Sequence, residues 1–69
     1  MERQSVNSSN LSSVGYDAST ETLEIEFKNG TIYTYSNVPQ FEYDRLMEAG
    51  SHGSYFSANI RNRYPYEKS

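Results

Sequence analysis

Residues 22–36 read TLEIEFKNGTIYTYS, and this stretch decides the fold. Its first half alternates apolar side chains with charged ones, the period-two pattern of a half-buried strand: Leu23, Ile25 and Phe27 are the apolar members. Asn29-Gly30 follows, and this pair is a strong hairpin signal because both residues tolerate positive φ. The sequence therefore predicts a β-hairpin whose strands cover residues 22–28 and 31–36.

The loop length of this hairpin decides which side chains share a face of the sheet. A two-residue loop at Asn29-Gly30 places Tyr33 and Tyr35 on the face of the glutamates, whereas a one-residue change of register moves them to the other face. A three-residue loop over residues 28–30, with Gly30 left-handed, sets Tyr33 opposite Ile25 and Tyr35 opposite Leu23. We favour this second register because it buries two more aromatic rings, although it leaves Ile32 among the glutamates.

The segments around the hairpin extend this pattern. Residues 11–16 form a candidate first strand, in which Gly15 marks a bulge or a close approach. Residues 17–20 have turn chemistry, because short side-chain oxygens bond nearby backbone amides. Pro39 suits a helix start, so we predict a helix over residues 40–49 that Gly50 caps. Its buried stripe contains Tyr43, Leu46 and Met47, and its outward face Glu42, Arg45 and Glu48.

A second helix starts at Ser51 or Ser54 and runs to about residue 62, with Phe56 and Ile60 on its buried face. Pro65 forbids further helix, so the chain ends in an extended tail. The fold class is α+β: an antiparallel sheet of about three strands with one or two helices on one face. Residues 1–69 form a single domain, and residues 1–10 form a loose arm. The expected core consists of Leu23, Ile25, Phe27, Tyr43, Leu46, Phe56 and Ile60, joined by Tyr33 and Tyr35.

Composition excludes several function classes. The chain has 69 residues, no cysteine, and one histidine, His52, so we expect no disulfide, zinc site or cofactor. His52 follows Ser51, but sequence adjacency alone supplies no orienting carboxylate or oxyanion hole, and we expect no enzymatic activity. No stretch approaches the ~20 apolar residues of a membrane span, and the N-terminus lacks an apolar signal segment. We therefore expect a cytoplasmic protein with no membrane partner.

Charge distribution gives the strongest functional hint. The net charge of −3 argues against a general nucleic-acid binder, but residues 49–69 are net positive. There, two arginines alternate with tyrosines, a pairing that suits RNA because guanidinium groups bond phosphate and aromatic rings stack unpaired bases. The candidate nucleic-acid-binding residues are Arg61, Arg63 and Tyr64, together with Tyr33 and Tyr35.

Two other interpretations of this C-terminal run stay open. Tyrosine and arginine also dominate protein interfaces, so the chain could form a homodimer or bind a phage or translation protein. Alternatively, the rings of Tyr64 and Tyr66 fold back to fill the core, and the arginines pair with Glu24 or Glu26. A small chain short of aliphatic residues needs such large buried side chains.

The order and spacing of these segments resemble the KTSC domain, a short domain at the C-terminus of some lysyl-tRNA synthetases. Tyr33-Thr34-Tyr35 matches the Tyr-x-Tyr hallmark of that family. The resemblance covers nearly the whole chain, through Val6-Asn7-Ser8-Ser9, Val14-Gly15-Tyr16-Asp17, Leu23 to Phe27, Gly30, Val38-Pro39, Ala49, Ser51, Gly53, Tyr55-Phe56, Ile60-Arg61 and Tyr64-Pro65.

The resemblance implies a small α+β domain, found as the tail of a synthetase or as a stand-alone bacterial or phage protein. It implies no catalytic residues. RNA binding has been suggested for the family through its association with the synthetase. The resemblance therefore places RNA first among the expected partners and a protein partner second.

Overall fold

The computed structural model describes residues 2–69, which form a five-stranded antiparallel sheet and two helices. The strands lie side by side in chain order, so each pairs with its sequence neighbour. The α+β class is confirmed, and the sheet has two strands more than the predicted three. The elements are β1 (Arg3–Ser5), β2 (Leu11–Asp17), β3 (Thr22–Phe27), β4 (Ile32–Tyr35), α1 (Gln40–Glu48), α2 (His52–Asn59) and β5 (Tyr66–Lys68).

The central hairpin has the three-residue loop that we favoured. Leu23 lies opposite Tyr35 and Ile25 opposite Tyr33. The amide of Phe27 donates to the carbonyl of Thr31 at 2.8 Å, and that of Gly30 to the carbonyl of Phe27 at 2.9 Å. Gly30 has φ of 91°, the left-handed conformation that such a loop requires. Ile32 consequently faces Glu26 on the other side of the sheet, as this register predicts.

Strand β1 corrects the prediction that residues 1–10 form a loose arm. It pairs with β2, where Arg3 lies opposite Gly15. The Arg3 guanidinium reaches across β2, donating from Nε to Ser13 Oγ at 3.0 Å and from Nη1 to Glu24 Oε1 at 2.6 Å. These polar contacts and the backbone ladder hold a segment that has no apolar alternation of its own.

Strand β5 is the second addition to the predicted sheet, and it occupies what we expected to be an extended tail. Tyr66 lies opposite Tyr35, and Lys68 opposite Tyr33. The pairing is extended at both ends: Ser36 N donates to Pro65 O at 2.9 Å, and Ser69 N donates to Ile32 O at 2.8 Å. Strand β5 therefore forms the edge of the sheet next to β4.

The turn between β2 and β3 forms as the chemistry of residues 17–20 predicts, but the bulge in β2 lies at a different position. Asp17 Oδ1 accepts from the Ser19 amide at 3.0 Å and from its hydroxyl at 2.6 Å, and these bonds lower the pKa of Asp17. Gly15 pairs regularly with Glu24, whereas the register shifts between Leu11 and Ser13. The predicted bulge at Gly15 is therefore wrong.

The two helices are shorter than predicted. Ala49 ends α1 in an extended conformation with ψ of 143°, so Gly50 is not the left-handed cap that we expected. Ser51 is the N-cap of α2, and its hydroxyl accepts from the Ser54 amide at 3.3 Å. α2 ends at Asn59, and a run of turns carries the chain from there to Pro65.

The core lies between the helices and one face of the sheet. Of the predicted core residues, Phe27, Tyr33 and Tyr43 are half-buried and pack against it. Among residues 2–69, no helix has the length and apolar character to cross a membrane. The buried apolar residues are Leu11, Val14, Leu23, Ile25, Tyr35, Val38, Leu46, Phe56 and Ile60.

Candidate nucleic-acid interface

An open groove of about 470 Å³ lies between the β4–β5 side of the sheet and the C-terminal end of α2. The strand pattern explains its aromatic lining. Tyr33 and Tyr35 are two residues apart on β4 and so project from the same face, and Tyr66 is the antiparallel partner of Tyr35. Phe27 and Phe56 complete the floor from the hairpin and from α2.

The aromatic rings of the floor contact one another in fixed geometries. Tyr33 and Tyr66 are stacked nearly parallel, with centroids 5.4 Å apart and an interplanar angle of 5°. Phe27 meets Tyr33 edge-on at 5.5 Å, and Phe56 meets Tyr35 edge-on at 5.4 Å. Tyr66 is 56% exposed, whereas Tyr35 is 1% exposed. The accessible aromatic surface is therefore the ring of Tyr66, supported by the half-buried ring of Tyr33.

Tyr35 lies at the base of the groove beside the rings of Tyr33 and Tyr66. Burial first, and then the neighbouring Tyr33 and Tyr66, raise the pKa of Tyr35 to about 12, and the nearby Arg61 guanidinium opposes this shift. Tyr35 therefore retains its proton at neutral pH. The electrostatic influence of Arg61 also places a positive charge beside the three tyrosines.

The rim of the groove is polar and carries one cation. Arg61 and Asn62 follow α2, while Asn10 and Asn29 come from the sheet side. Asn29 uses its Oδ1 to accept from the Thr31 amide at 3.0 Å. Side-chain amides carry both donors and acceptors, the groups that read the edges of unpaired bases. The rim can therefore bind a polar heterocycle and an anion together.

Among residues 2–69, no acidic side chain lines this groove, although the chain has a net charge of −3. Alternation along β3 directs Glu24 and Glu26 to the opposite face of the sheet, where Arg3 lies 2.6 and 3.9 Å from their carboxylates. Glu67 alternates with Tyr66 and Lys68 and so also points away from the groove. The fold thus separates most of the negative charge from the aromatic surface.

Comparison with known proteins identifies the family. The sequence profile of the KTSC domain matches residues 7–64. The chain belongs to the KTSC domain family. The crystal structure of a KTSC domain protein from Yersinia pestis superimposes with a TM-score of 0.93 at 36% identity, covering 99% of this chain and 96% of that one.

Relatives of this KTSC domain occur in two settings. An uncharacterized protein of Stutzerimonas stutzeri is 42% identical over 57 residues, which cover 83% of this chain and 80% of that protein. A lysine–tRNA ligase of Trichormus variabilis is 38% identical over 53 residues, or 77% of this chain. The match spans only 9% of that ligase, so it concerns one short segment. The family has no known catalytic role.

Only some of the candidate binding residues predicted from the sequence line the groove of this KTSC domain. Arg61, Tyr33 and Tyr35 all line the groove, and Tyr35 is buried in the core at its base. Arg63 is exposed but does not line the groove. Tyr64 packs against the core. Arg3, and neither of these arginines, pairs with Glu24 and Glu26, so the alternative pairing that the sequence left open does not form.

Tyr66 is the groove residue that sequence reasoning missed as a binding residue. The sequence places Tyr66 in the arginine–tyrosine run and alternatively in the core, but not among the candidate binding residues, because nothing in the isolated run 59–66 indicates which tyrosine returns to the sheet. The alternation of Tyr66, Glu67 and Lys68 is the one signal for β5, and three residues are too few to establish a strand. The sequence does not indicate the three asparagines of the rim as site residues, because they come from distant parts of the chain and lie at the groove only in the folded protein.

Glu42 contradicts the prediction that it points outward. It is 2% exposed, and both of its carboxylate oxygens accept from tyrosine hydroxyls: Tyr55 donates to Oε1, and Tyr64 donates to Oε2 at 2.8 Å. Burial, followed by these hydrogen bonds, raises the pKa values of Tyr55 and Tyr64. This KTSC domain therefore buries a carboxylate by giving each of its oxygens a donor.

His52 has a local structural contact. Its Nδ1 lies 2.8 Å from the carbonyl oxygen of Leu46, a contact that joins the start of α2 to the end of α1. Within the described part of this KTSC domain, no group of three or more His, Cys, Asp or Glu side chains has the arrangement of a metal site. The groove, where the exposed Tyr66 ring and Arg61 share one lining, is the site that the geometry favours.

Proposed function

We propose that this protein is a non-catalytic RNA-binding module that receives unpaired bases in the groove beside Tyr66. The observation that carries the proposal is the exposed Tyr66 ring beside Arg61, in a groove with no acidic lining residue among residues 2–69. Every base has a π face, so a tyrosine platform stacks bases with little sequence preference and contributes ~1–3 kcal/mol per base. Arg61 supplies the phosphate contact that fixes the backbone of the RNA.

The composition of the groove supports RNA over an apolar small molecule. Its rim presents three asparagine amides and one guanidinium, each able to bond a base edge or a phosphate: Asn10, Asn29, Asn62 and Arg61. Proteins named lysine–tRNA ligases contain a segment that is similar to this chain, which agrees with an RNA partner. Such a partner would place the domain in the cytoplasm.

An NMR titration of ¹⁵N-labelled protein with a short single-stranded RNA, and then with transfer RNA, tests the proposal at low and moderate salt. We expect shifts at Arg61, Asn62, Tyr66 and the neighbouring β4 residues.

Two matched pairs of variants test whether the groove, and not another exposed residue of the same type, binds the RNA. Arg61→Ala is compared with Arg63→Ala, an exposed arginine outside the groove, and Tyr66→Ala with Phe41→Ala, which removes an aromatic ring of similar exposure on α1.

The expected result is a loss of affinity of about five- to tenfold for each groove variant, with the two controls close to the parent. Absence of shifts at low salt, where electrostatic binding is strongest, would refute RNA binding. Equal losses from Arg61→Ala and Arg63→Ala would instead show that diffuse charge, and not the groove, attracts the RNA.

A protein-binding module is the second candidate, and one observation on α1 favours it. Phe41 is 53% exposed, and the Arg45 guanidinium lies 5.1 Å above the centroid of its ring. Exposed aromatic and arginine pairs are frequent at interface hot spots. If α1 mediates a homodimer, sedimentation equilibrium of the parent will show a dimer that Phe41→Ser dissociates. A monomer at high protein concentration would exclude a homodimer on this face.

A further inference from the structure

The groove exposes one aromatic platform and not a series of platforms. Tyr33 and Tyr66 stack on each other at 5.4 Å, so one face of each ring is already covered by the other. Phe56 is 3% exposed and Tyr35 is 1% exposed, and neither offers a ring face to a ligand. Long single-strand binders stack successive bases on separate aromatic side chains. Phe27 is half-buried and meets Tyr33 and Phe56 edge-on, so Tyr66 is the most exposed ring of the lining, and we expect the groove to stack one base.

The cations at the groove are equally few. Arg61 is the cation that lines the groove. Lys68 does not line it but lies on the same face of the sheet, because its antiparallel partner is Tyr33 and paired residues project from the same face. Arg3 is held by Glu24 and Glu26 on the opposite face, and Arg45 lies above Phe41 on α1. The remaining cations, Lys28 and Arg63, neither line the groove nor pair with a β4 residue. Two positive charges match the two phosphates that flank one nucleotide.

We propose, on the basis of the RNA-binding function above, that the ligand is one unpaired nucleotide with its two flanking phosphates, as in a bulge. An extended single strand gains nothing beyond this unit, because the groove supplies no second platform. A fully paired duplex is rejected, since its bases are stacked on both sides and must be extruded before one of them contacts Tyr66. The site thus selects an irregularity in RNA structure.

Titrations with defined RNAs test this proposal through site size and salt dependence. The middle nucleotide of a trinucleotide lies between two phosphates, so a trinucleotide contains the whole proposed ligand. We expect the protein to bind a dodecamer at most about tenfold more tightly than a trinucleotide, which is the statistical factor for the overlapping sites of the dodecamer. With two phosphates neutralised, the slope of log K against log salt for these single strands should be about −1.4. Lys68→Ala should make this slope shallower by about 0.7, whereas Arg63→Ala should leave it unchanged.

A duplex pair supplies the second arm of the test. An RNA duplex with one bulged nucleotide should bind at least about tenfold more tightly than the same duplex without the bulge. Three results would overturn the one-nucleotide site while leaving RNA binding intact. They are equal affinities for the two duplexes, a slope of log K against log salt steeper than about −3, and an affinity for the dodecamer about a hundredfold above that for the trinucleotide. Failure of all these RNAs to bind at low salt would overturn the RNA-binding function itself, so the two failures are distinguishable.

Discussion

The hydroxyl of Tyr64 donates a 2.8 Å hydrogen bond to Oε2 of Glu42, which lies 22 positions earlier in the chain. Glu42 is on α1, and Tyr64 comes two residues before Tyr66, where β5 begins. Tyr55 of α2 donates to the other carboxylate oxygen of Glu42. One buried carboxylate therefore joins both helices to the segment that delivers the groove platform.

This relationship predicts the effect of Tyr64→Phe. The substitution keeps the ring but leaves Oε2 of a buried carboxylate without its donor, so we expect a loss of about 1–3 kcal/mol in the free energy of unfolding. Urea melts measure it. Tyr43→Phe is the matched control, because Tyr43 is half-buried and packs through its ring, 4.8 Å from Tyr16, and it should change stability by less than about 0.5 kcal/mol. Equal stability of Tyr64→Phe and the parent would show that Glu42 does not depend on this donor.

Alkaline pH should destabilise the protein, mainly through Tyr35. Its pKa is raised to about 12 in the folded state, mainly by burial, from an ordinary value of 10.0. A raised pKa means that the stabilisation is complete below pH 10 and is lost as pH rises from 10 through 12, by at most about 3 kcal/mol. Urea melts at pH 9, 10 and 11 should show this decline. Tyr35→Phe should reduce it and leave the part that comes from Tyr16, Tyr55 and Tyr64, whose pKa values are also raised. A parent with constant stability up to pH 11 would contradict the prediction.

Arg3→Ala should release β1 without unfolding the domain. The Arg3 guanidinium contacts Ser13, Glu24 and Glu26, but the side chains of these ion pairs keep between 21% and 30% of their surface exposed. Such pairs are worth about 0.5–1 kcal/mol, and salt weakens them. Hydrogen exchange should show faster exchange at the β1–β2 ladder and little change in β3 and β4. Arg63→Ala, which removes an exposed arginine elsewhere, should leave exchange unaltered; uniform acceleration in Arg3→Ala would indicate global destabilisation instead.

The parts of the fold that were predicted from sequence are those encoded locally. The hairpin register follows from alternation in β3 and from the need for positive φ at Gly30, and both signals lie within residues 22–36. Strands β1 and β5 read RQS and YEK, and neither has an apolar side to indicate burial. Each exists because the edge of an already formed sheet offers it backbone partners.

The candidate site shows the same division. Residue type indicated Arg61, since an arginine next to tyrosines suggests a phosphate contact wherever it lies. Tyr66 entered the groove only through its pairing with Tyr35, and Glu42 became buried only because two tyrosine hydroxyls approach it from 13 and 22 positions away. Helical periodicity had assigned Glu42 to solvent, and tertiary hydrogen bonds overrode that preference.

A pair of glycine substitutions tests the hairpin loop that sets the groove. A Cβ at Gly30 or at Gly50 would meet nothing within 4 Å, so steric clash affects neither position. They differ in backbone conformation, because Gly30 has φ of 91° and Gly50 has no positive φ. Gly30→Ala should therefore cost about 1–2 kcal/mol through backbone strain, whereas Gly50→Ala should be neutral or stabilising by up to about 1 kcal/mol. Urea melts of both variants measure the difference.

The same pair also reports on register, because Gly30 sets the three-residue loop that aligns Tyr33 with Ile25. In Gly30→Ala, cross-strand NMR contacts between Tyr33 and Ile25 should persist, since a shift by one residue would expose the apolar face of β3 at a far greater cost than the strain. Loss of these contacts with retained stability would show that the loop, and not the apolar face, specifies the register. A cost equal to that of Gly50→Ala would show that the strain at Gly30 is absent in solution.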